Sequence, residues 1–68
     1  MKTVVTRRRV EKIARNYLLP EPYESHREKR IQFCLEFVVK SNYVTIENGF
    51  VMATDLDLEL AVDDYFNL

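Results

Sequence analysis

Apolar and polar positions follow two different periods along this chain. Val10, Ile13, Ala14, Tyr17 and Leu18 recur at i, i+3, i+4, i+7 and i+8, which places them in one stripe along a helix. An advance of about 100° per residue gathers Arg8, Lys12 and Arg15 on the opposite face. Thr3 or Thr6 supplies a side-chain cap, and Pro20 stops the helix by Leu19, so the pattern predicts a helix over about 6–19. Pro20-Glu21-Pro22 is then a stiff connector. A second helix is predicted over about 24–40, with Ser25 and Glu28 spaced as a capping box and Pro22 as an alternative start. Its apolar residues form two arcs, Ile31, Cys34, Leu35 and Val38 in one and Phe33 and Phe37 in the other. More than half of its circumference is therefore apolar, as for a helix covered on two sides, either as the central element of the fold or with half of it in a subunit contact.

From Tyr43 the period shortens to two. Tyr43-Val44-Thr45-Ile46-Glu47 and Phe50-Val51-Met52-Ala53 flank Asn48-Gly49, and Asn-Gly suits the type I′ turn of a two-residue hairpin, which needs positive φ twice. A hairpin over 43–53 follows, pairing Glu47 with Phe50, Ile46 with Val51 and Val44 with Ala53. Alternation then puts Val44, Ile46, Val51 and Ala53 on the core face. The last segment fits both periods. Leu56, Leu58 and Leu60 alternate as in a strand, whereas Leu58, Ala61, Val62, Tyr65 and Phe66 have helical spacing. Thr54 as a cap, with Asp55 and Asp57 in the first turn, decides for a helix over about 55–66. Leu56 and Leu60 fall on its acidic face, either as a partner-binding patch or as an edge of the core. The expected architecture is a single α+β domain of order α-α-β-β-α.

Charge adds what the hydrophobic pattern cannot. The chain has 68 residues and a net charge of −1, yet its two halves differ sharply. Residues 1–30 carry nine basic and four acidic side chains, a net of +5, and residues 31–68 carry one basic and seven acidic, a net of −6. Such polarity points to an electrostatic partner, or to two ends that meet in the fold or in a dimer and neutralise each other. A domain this small sits near the lower limit for folding alone, so a homodimer is a reasonable expectation. No apolar run exceeds four residues, far short of the roughly 18 that span a bilayer. No apolar segment follows the basic start, and one cysteine cannot form an internal disulfide. A cytoplasmic protein without a membrane segment is therefore expected.

Little in the sequence suggests catalysis. Asp55, Asp57 and Glu59 look like the start of a calcium loop, but Leu60 and Phe66 occupy the positions that need Gly and Glu. His26 has no companion ligand, and Cys34 lies on the most apolar stripe and reads as a core residue. A single glycine, already used by the turn, leaves none for a phosphate-binding loop. A non-enzymatic protein with no cofactor or metal is the expectation.

The basic residues form two candidate stripes. Arg7, Arg8, Arg9, Lys12 and Arg15 lie on the first helix, and Arg27, Lys29 and Arg30 lie in the first turns of the second. Backbone amides at a helix start, joined by arginines, suit phosphate. The competing reading is a solvated face with ion pairs within the helices.

Ile31 to Thr54, "IQFCLEFVVKSNYVTIENGFVMAT", resembles the second half of a winged helix-turn-helix domain. The likeness lies in the helix end, the aromatic before the first strand, the Gly-centred turn and the closing Ala-Thr. It covers about a third of the chain, and only two helices precede the wing where the family normally has three. The resemblance implies that the second helix enters a major groove with Arg27, Lys29 and Arg30 leading, that 48–50 is the wing tip, and that the last helix serves dimerisation. A small DNA-binding regulator is thus one expectation. The other is a protein-interaction module, an inhibitor or adaptor or a nucleic-acid mimic, docking through Leu56, Asp57, Leu60, Asp63 and Asp64.

Overall fold

In the computed structural model, which describes residues 1–68, the chain runs β1 (Thr3–Val4), α1 (Arg7–Tyr17), α2 (Glu24–Val39), β2 (Thr45–Glu47), β3 (Phe50–Ala53) and α3 (Asp55–Phe66). The α-α-β-β-α order is as expected, preceded by a two-residue strand that the sequence pattern does not announce. β1 adds to the free edge of β3, which gives an antiparallel sheet of order β1-β3-β2. Thr3 faces Ala53, Val4 faces Met52, and the Val5 amide donates to the Val51 carbonyl at 2.8 Å.

The hairpin register is the expected one: Glu47 opposite Phe50, Ile46 opposite Val51. Asn48 and Gly49 have φ of 53° and 83°, the left-handed pair that a type I′ turn demands and that Gly adopts without a Cβ clash. The expected burial is corrected, however. Of Val44, Ile46, Val51 and Ala53, only Ala53 is fully buried, and Ile46 is 67% exposed. The helices cover the base of the hairpin and leave its tip in solvent.

The three helices pack on one another around a core of ten buried side chains. α1 contributes Val10, Ala14 and Leu18, α2 contributes Ile31, Cys34 and Val38, and α3 contributes Leu58, Ala61 and Val62, with Ala53 from β3. Cys34 is a core residue, and burial pushes its thiol up to about 11. Such a thiol stays protonated and unreactive near neutral pH. Of the two expectations for α2, a central helix enclosed by the fold is corrected: Phe33 is 56% exposed and Phe37 half-buried within the chain. The Ile31–Cys34–Val38 stripe is the part of α2 fully buried in the helical core, with Phe37 reaching Tyr65 of α3 at its margin.

The helix starts are set by different means. Thr6 caps α1, its hydroxyl accepting from the Arg9 amide, and α1 ends at Tyr17, two residues before the expected stop at Leu19. At α3 the Asp57 amide donates to Thr54 Oγ1 at 3.0 Å, while Asp57 accepts from the Thr54 amide. That reciprocal capping box is the one the sequence pattern assigned to Ser25 and Glu28. α2 instead starts at Glu24 behind Tyr23, with no side-chain cap. Glu28 is unavailable to cap because Arg7 and Arg15 both bind it. The Arg27 guanidinium takes the Glu21 carbonyl, and the Tyr23 amide donates to the Glu21 carboxylate.

An aromatic cluster closes the far end of the helical core. Tyr17 stacks on Phe66 with centroids 4.8 Å apart, Tyr65 meets Phe66 edge-on, and Phe37 leans on Tyr65. Tyr17, expected in the α1 core stripe, is 39% exposed. Its hydroxyl donates to Asp63 and that of Tyr43 to Asp64. Those hydrogen bonds are the main reason both phenols are held above their ordinary pKa. No helix is long and apolar enough to cross a membrane.

Candidate nucleic-acid interface

The eight basic residues singled out in the sequence fall into three groups. Arg7, Arg15 and Arg27 form an ion-pair seam between α1 and the start of α2. Arg15 reaches Glu11 at 2.9 Å, Glu24 at 2.9 Å and Glu28 at 3.1 Å, and Arg7 binds Glu11 and Glu28. Arg27 holds Glu24 from within α2. Hydrogen bonds from Arg15, then Arg27, hold the Glu24 carboxyl down at about 2. Bonds to Glu24 and Glu11 raise the Arg15 pKa still further above its ordinary value. Three cations and three carboxylates cancel here, so the seam carries no net charge outward. The sequence already contained the partners, but Arg15 and Glu24 are joined only because the Pro20–Pro22 connector turns α2 back along α1.

Arg9 stands apart. Its guanidinium donates to the carbonyls of Thr3, Val4 and Ala53 and to Asp55 Oδ1. It therefore ties β1, the end of β3 and the start of α3 together. This is a structural role, and little of the side chain is left for a ligand.

Arg8, Lys12 and Lys29 have no carboxylate within ion-pair distance, and Arg30 lies over the Phe66 ring at 5.1 Å. Arg8 and Lys12 point outward from α1, beside a shallow depression of ≈ 490 Å³ lined only by Arg7, Arg8, Glu11, Lys12 and Arg15. Lys29 points outward from α2. The unpaired cations thus stand on both sides of the neutral seam.

Comparison with protein-family models, curated proteins and solved structures gives no match for this chain. Its surfaces must therefore be judged from their own chemistry.

On α2 the uncovered face is longer than the sequence pattern suggested. An advance of about 100° per residue puts Lys29, Phe33 and Lys40 within about 40° of one another on the solvent side, with His26 and Glu36 beside them. All five are exposed, and Glu36 is held by Gln32 at 3.1 Å. Phe33 and Lys40 were not among the expected site residues. The signal for both is their helical spacing from Lys29, but an apolar residue such as Phe33 reads equally well as packed. The hairpin follows α2 after a short turn in which the Ser41 amide and hydroxyl both bind the Val38 carbonyl.

The α3 residues expected to meet a partner are also at the surface. Leu56 is 63% and Leu60 43% exposed, so the alternative that they edge the core is set aside. Asp63 and Asp64 accept from tyrosines, Asp57 is engaged in the cap, and none of the three has a cation partner. Only Asp55 and Glu47 meet basic residues of the N-terminal half, namely Arg9 and Lys2. Within one folded chain the two halves do not cancel each other, and their polarity persists there.

Proposed function

We propose that this chain is a small DNA-binding protein that places α2 in a major groove with the β2–β3 hairpin beside it. The observation that carries this reading is the uncovered α2 face of Lys29, Phe33 and Lys40, followed directly by a hairpin whose tip stands in solvent. An α-helix about 10–12 Å across fits a major groove about 12 Å wide. The likeness to a winged helix-turn-helix gains support from α3. It follows the wing in sequence, yet it supplies a third helix that packs against both α1 and α2. Arg8, Lys12 and Lys29, free of internal partners, are the phosphate contacts in this reading. Arg27, expected to lead into the groove, is turned back onto Glu24 and Glu21 and has no such role.

Phosphate contacts release counterions, so each one adds about 0.9 to the slope of log affinity against log salt. Fluorescence anisotropy of a labelled random-sequence duplex should show binding at low salt that fades as salt rises. The Arg8→Ala/Lys12→Ala/Lys29→Ala variant should bind more weakly with a slope smaller by about two to three. No binding at low salt, or an unchanged slope, would reject the reading.

A second reading is favoured by one specific observation, the two exposed leucines inside a ring of carboxylates on α3. That surface suits a cationic partner with apolar side chains, and Arg8 and Lys12 on the outward side of α1, with exposed Leu19 in the turn after it, offer one on a second copy. Such a contact sets α3 of one copy against α1 of the other, since two α3 faces would repel. Sedimentation at rising concentration should then show association that Leu56→Glu/Leu60→Glu abolishes. Association that survives this variant would remove α3 from the contact.

A further inference from the structure

Phe33 has the features of a base-reading side chain. It is a large aromatic, more than half exposed, at the centre of an outward helix face. It stacks on no other ring, although Tyr17, Phe37, Tyr65 and Phe66 form a cluster and Tyr23 meets His26. One turn before it stands Lys29, and nearly two turns after it Lys40, the residue that caps the end of α2, neither with an internal carboxylate partner. The ring is therefore flanked along the helix by free cations, with hydrogen-bonded Glu36 to one side. An apolar contact framed by positive charge suits a surface that is anionic at its margins and apolar at one point within.

A major groove meets that description. Its walls are phosphates, and among the base edges it displays, only thymine offers an apolar group, the 5-methyl. We propose that Phe33 packs against a thymine methyl and so gives the chain a preference for thymine at one position of its site. This rests on the reading of α2 as a groove-binding helix. The flanking lysines supply attraction to the backbone and carry no sequence information, whereas the ring supplies discrimination and no charge.

Thymine and uracil differ at this edge only by the methyl group, which makes the test direct. Duplexes retained from a random-sequence library by the wild-type chain are resynthesised with deoxyuridine at each thymine in turn. Losing one buried methyl corresponds to about a fourfold weakening. Wild-type protein should show that loss at one thymine and near-equal binding at the others. Phe33→Ala, confirmed as folded by circular dichroism, should bind the thymine and deoxyuridine duplexes alike. Phe33→Leu, which keeps apolar bulk, should retain part of the difference.

The outcomes separate the two levels of the idea. If no duplex is retained even at low salt, α2 is not a groove-binding helix and the contact falls with it. If duplexes are retained but no deoxyuridine substitution matters, DNA binding stands and the thymine contact is overturned. If the methyl effect persists in Phe33→Ala, another side chain makes the contact, and Phe33 belongs to some other surface such as a protein partner.

Discussion

Leu58→Ala is expected to unfold a large share of the protein at physiological temperature. Leu58 is 1% exposed and sits in the ten-residue cluster where all three helices meet. Removing its branched end leaves a cavity that rigid neighbours fill only in part, at a cost of about 2–5 kcal/mol. A 68-residue domain has about 3–10 kcal/mol in hand, from a typical 0.05–0.15 kcal/mol per residue. The loss is therefore comparable with the whole. Urea titration followed by circular dichroism should show the midpoint displaced strongly or the transition lost. Leu56→Ala, on the same helix at a 63% exposed position, should shift it by less than about 0.5 kcal/mol. Equal behaviour of the two variants would contradict the assignment of the core.

Arg9→Met should produce the second large effect, through the backbone rather than through charge. The guanidinium side chain is 22% exposed while Asp55 is 94% exposed. A pair so open on one side contributes little, and Asp55→Asn should change stability by less than about 1 kcal/mol. The three carbonyls are another matter. Thr3 and Val4 are oriented by one nitrogen and Ala53 by the other, and no other side chain bonds to them. Loss of these charge-assisted bonds should cost about 2 kcal/mol and release β1 from β3. Arg9→Lys keeps the charge but offers a single nitrogen where the fold uses two, so it should recover less than half of the loss. Hydrogen exchange should report the change locally, with faster exchange at the Val5 amide, which donates to Val51. Protection at Val5 unaltered in Arg9→Met would rule out the clasp.

These two residues also mark how far sequence pattern carries. Leu58 was legible as core from its spacing to Ala61, Val62 and Tyr65, because helical periodicity is a local property. The hairpin register was legible for the same reason, since Asn48-Gly49 fixes two-residue geometry whatever surrounds it. Arg9 was legible only as one more cation in a basic run. Its actual role depends on carbonyls from residues 3, 4 and 53, a juxtaposition no local period encodes. The same holds for Arg15, whose partners lie on two helices, and for β1, whose two residues become a strand only by meeting β3.

The candidate site divides along the same line. Arg8, Lys12 and Lys29 stand outward as the helical wheel requires. Arg7, Arg15 and Arg27 lie at the seam between α1 and α2, where Glu11, Glu24 and Glu28 neutralise them. Phe33, on the second apolar arc, stands at the open surface. An apolar residue at helical spacing predicts burial only if another element arrives to cover that arc. α3 covers the Ile31 and Val38 stripe and reaches Phe37 through Tyr65, but leaves Phe33 bare.

Local pattern was enough for the α-α-β-β-α order, the type I′ turn and its register, the α3 stripe, the α1 stripe apart from Tyr17, and the polarity between the two halves. Each follows from spacing, turn chemistry or composition within a short stretch. Packing between elements settles which apolar arc of α2 is buried, which cations are consumed internally and that a first strand exists. Those are contacts between distant segments. Their outcome turns on competition for partners, as when two arginines of α1 take the carboxylate that Ser25 would have needed for its cap.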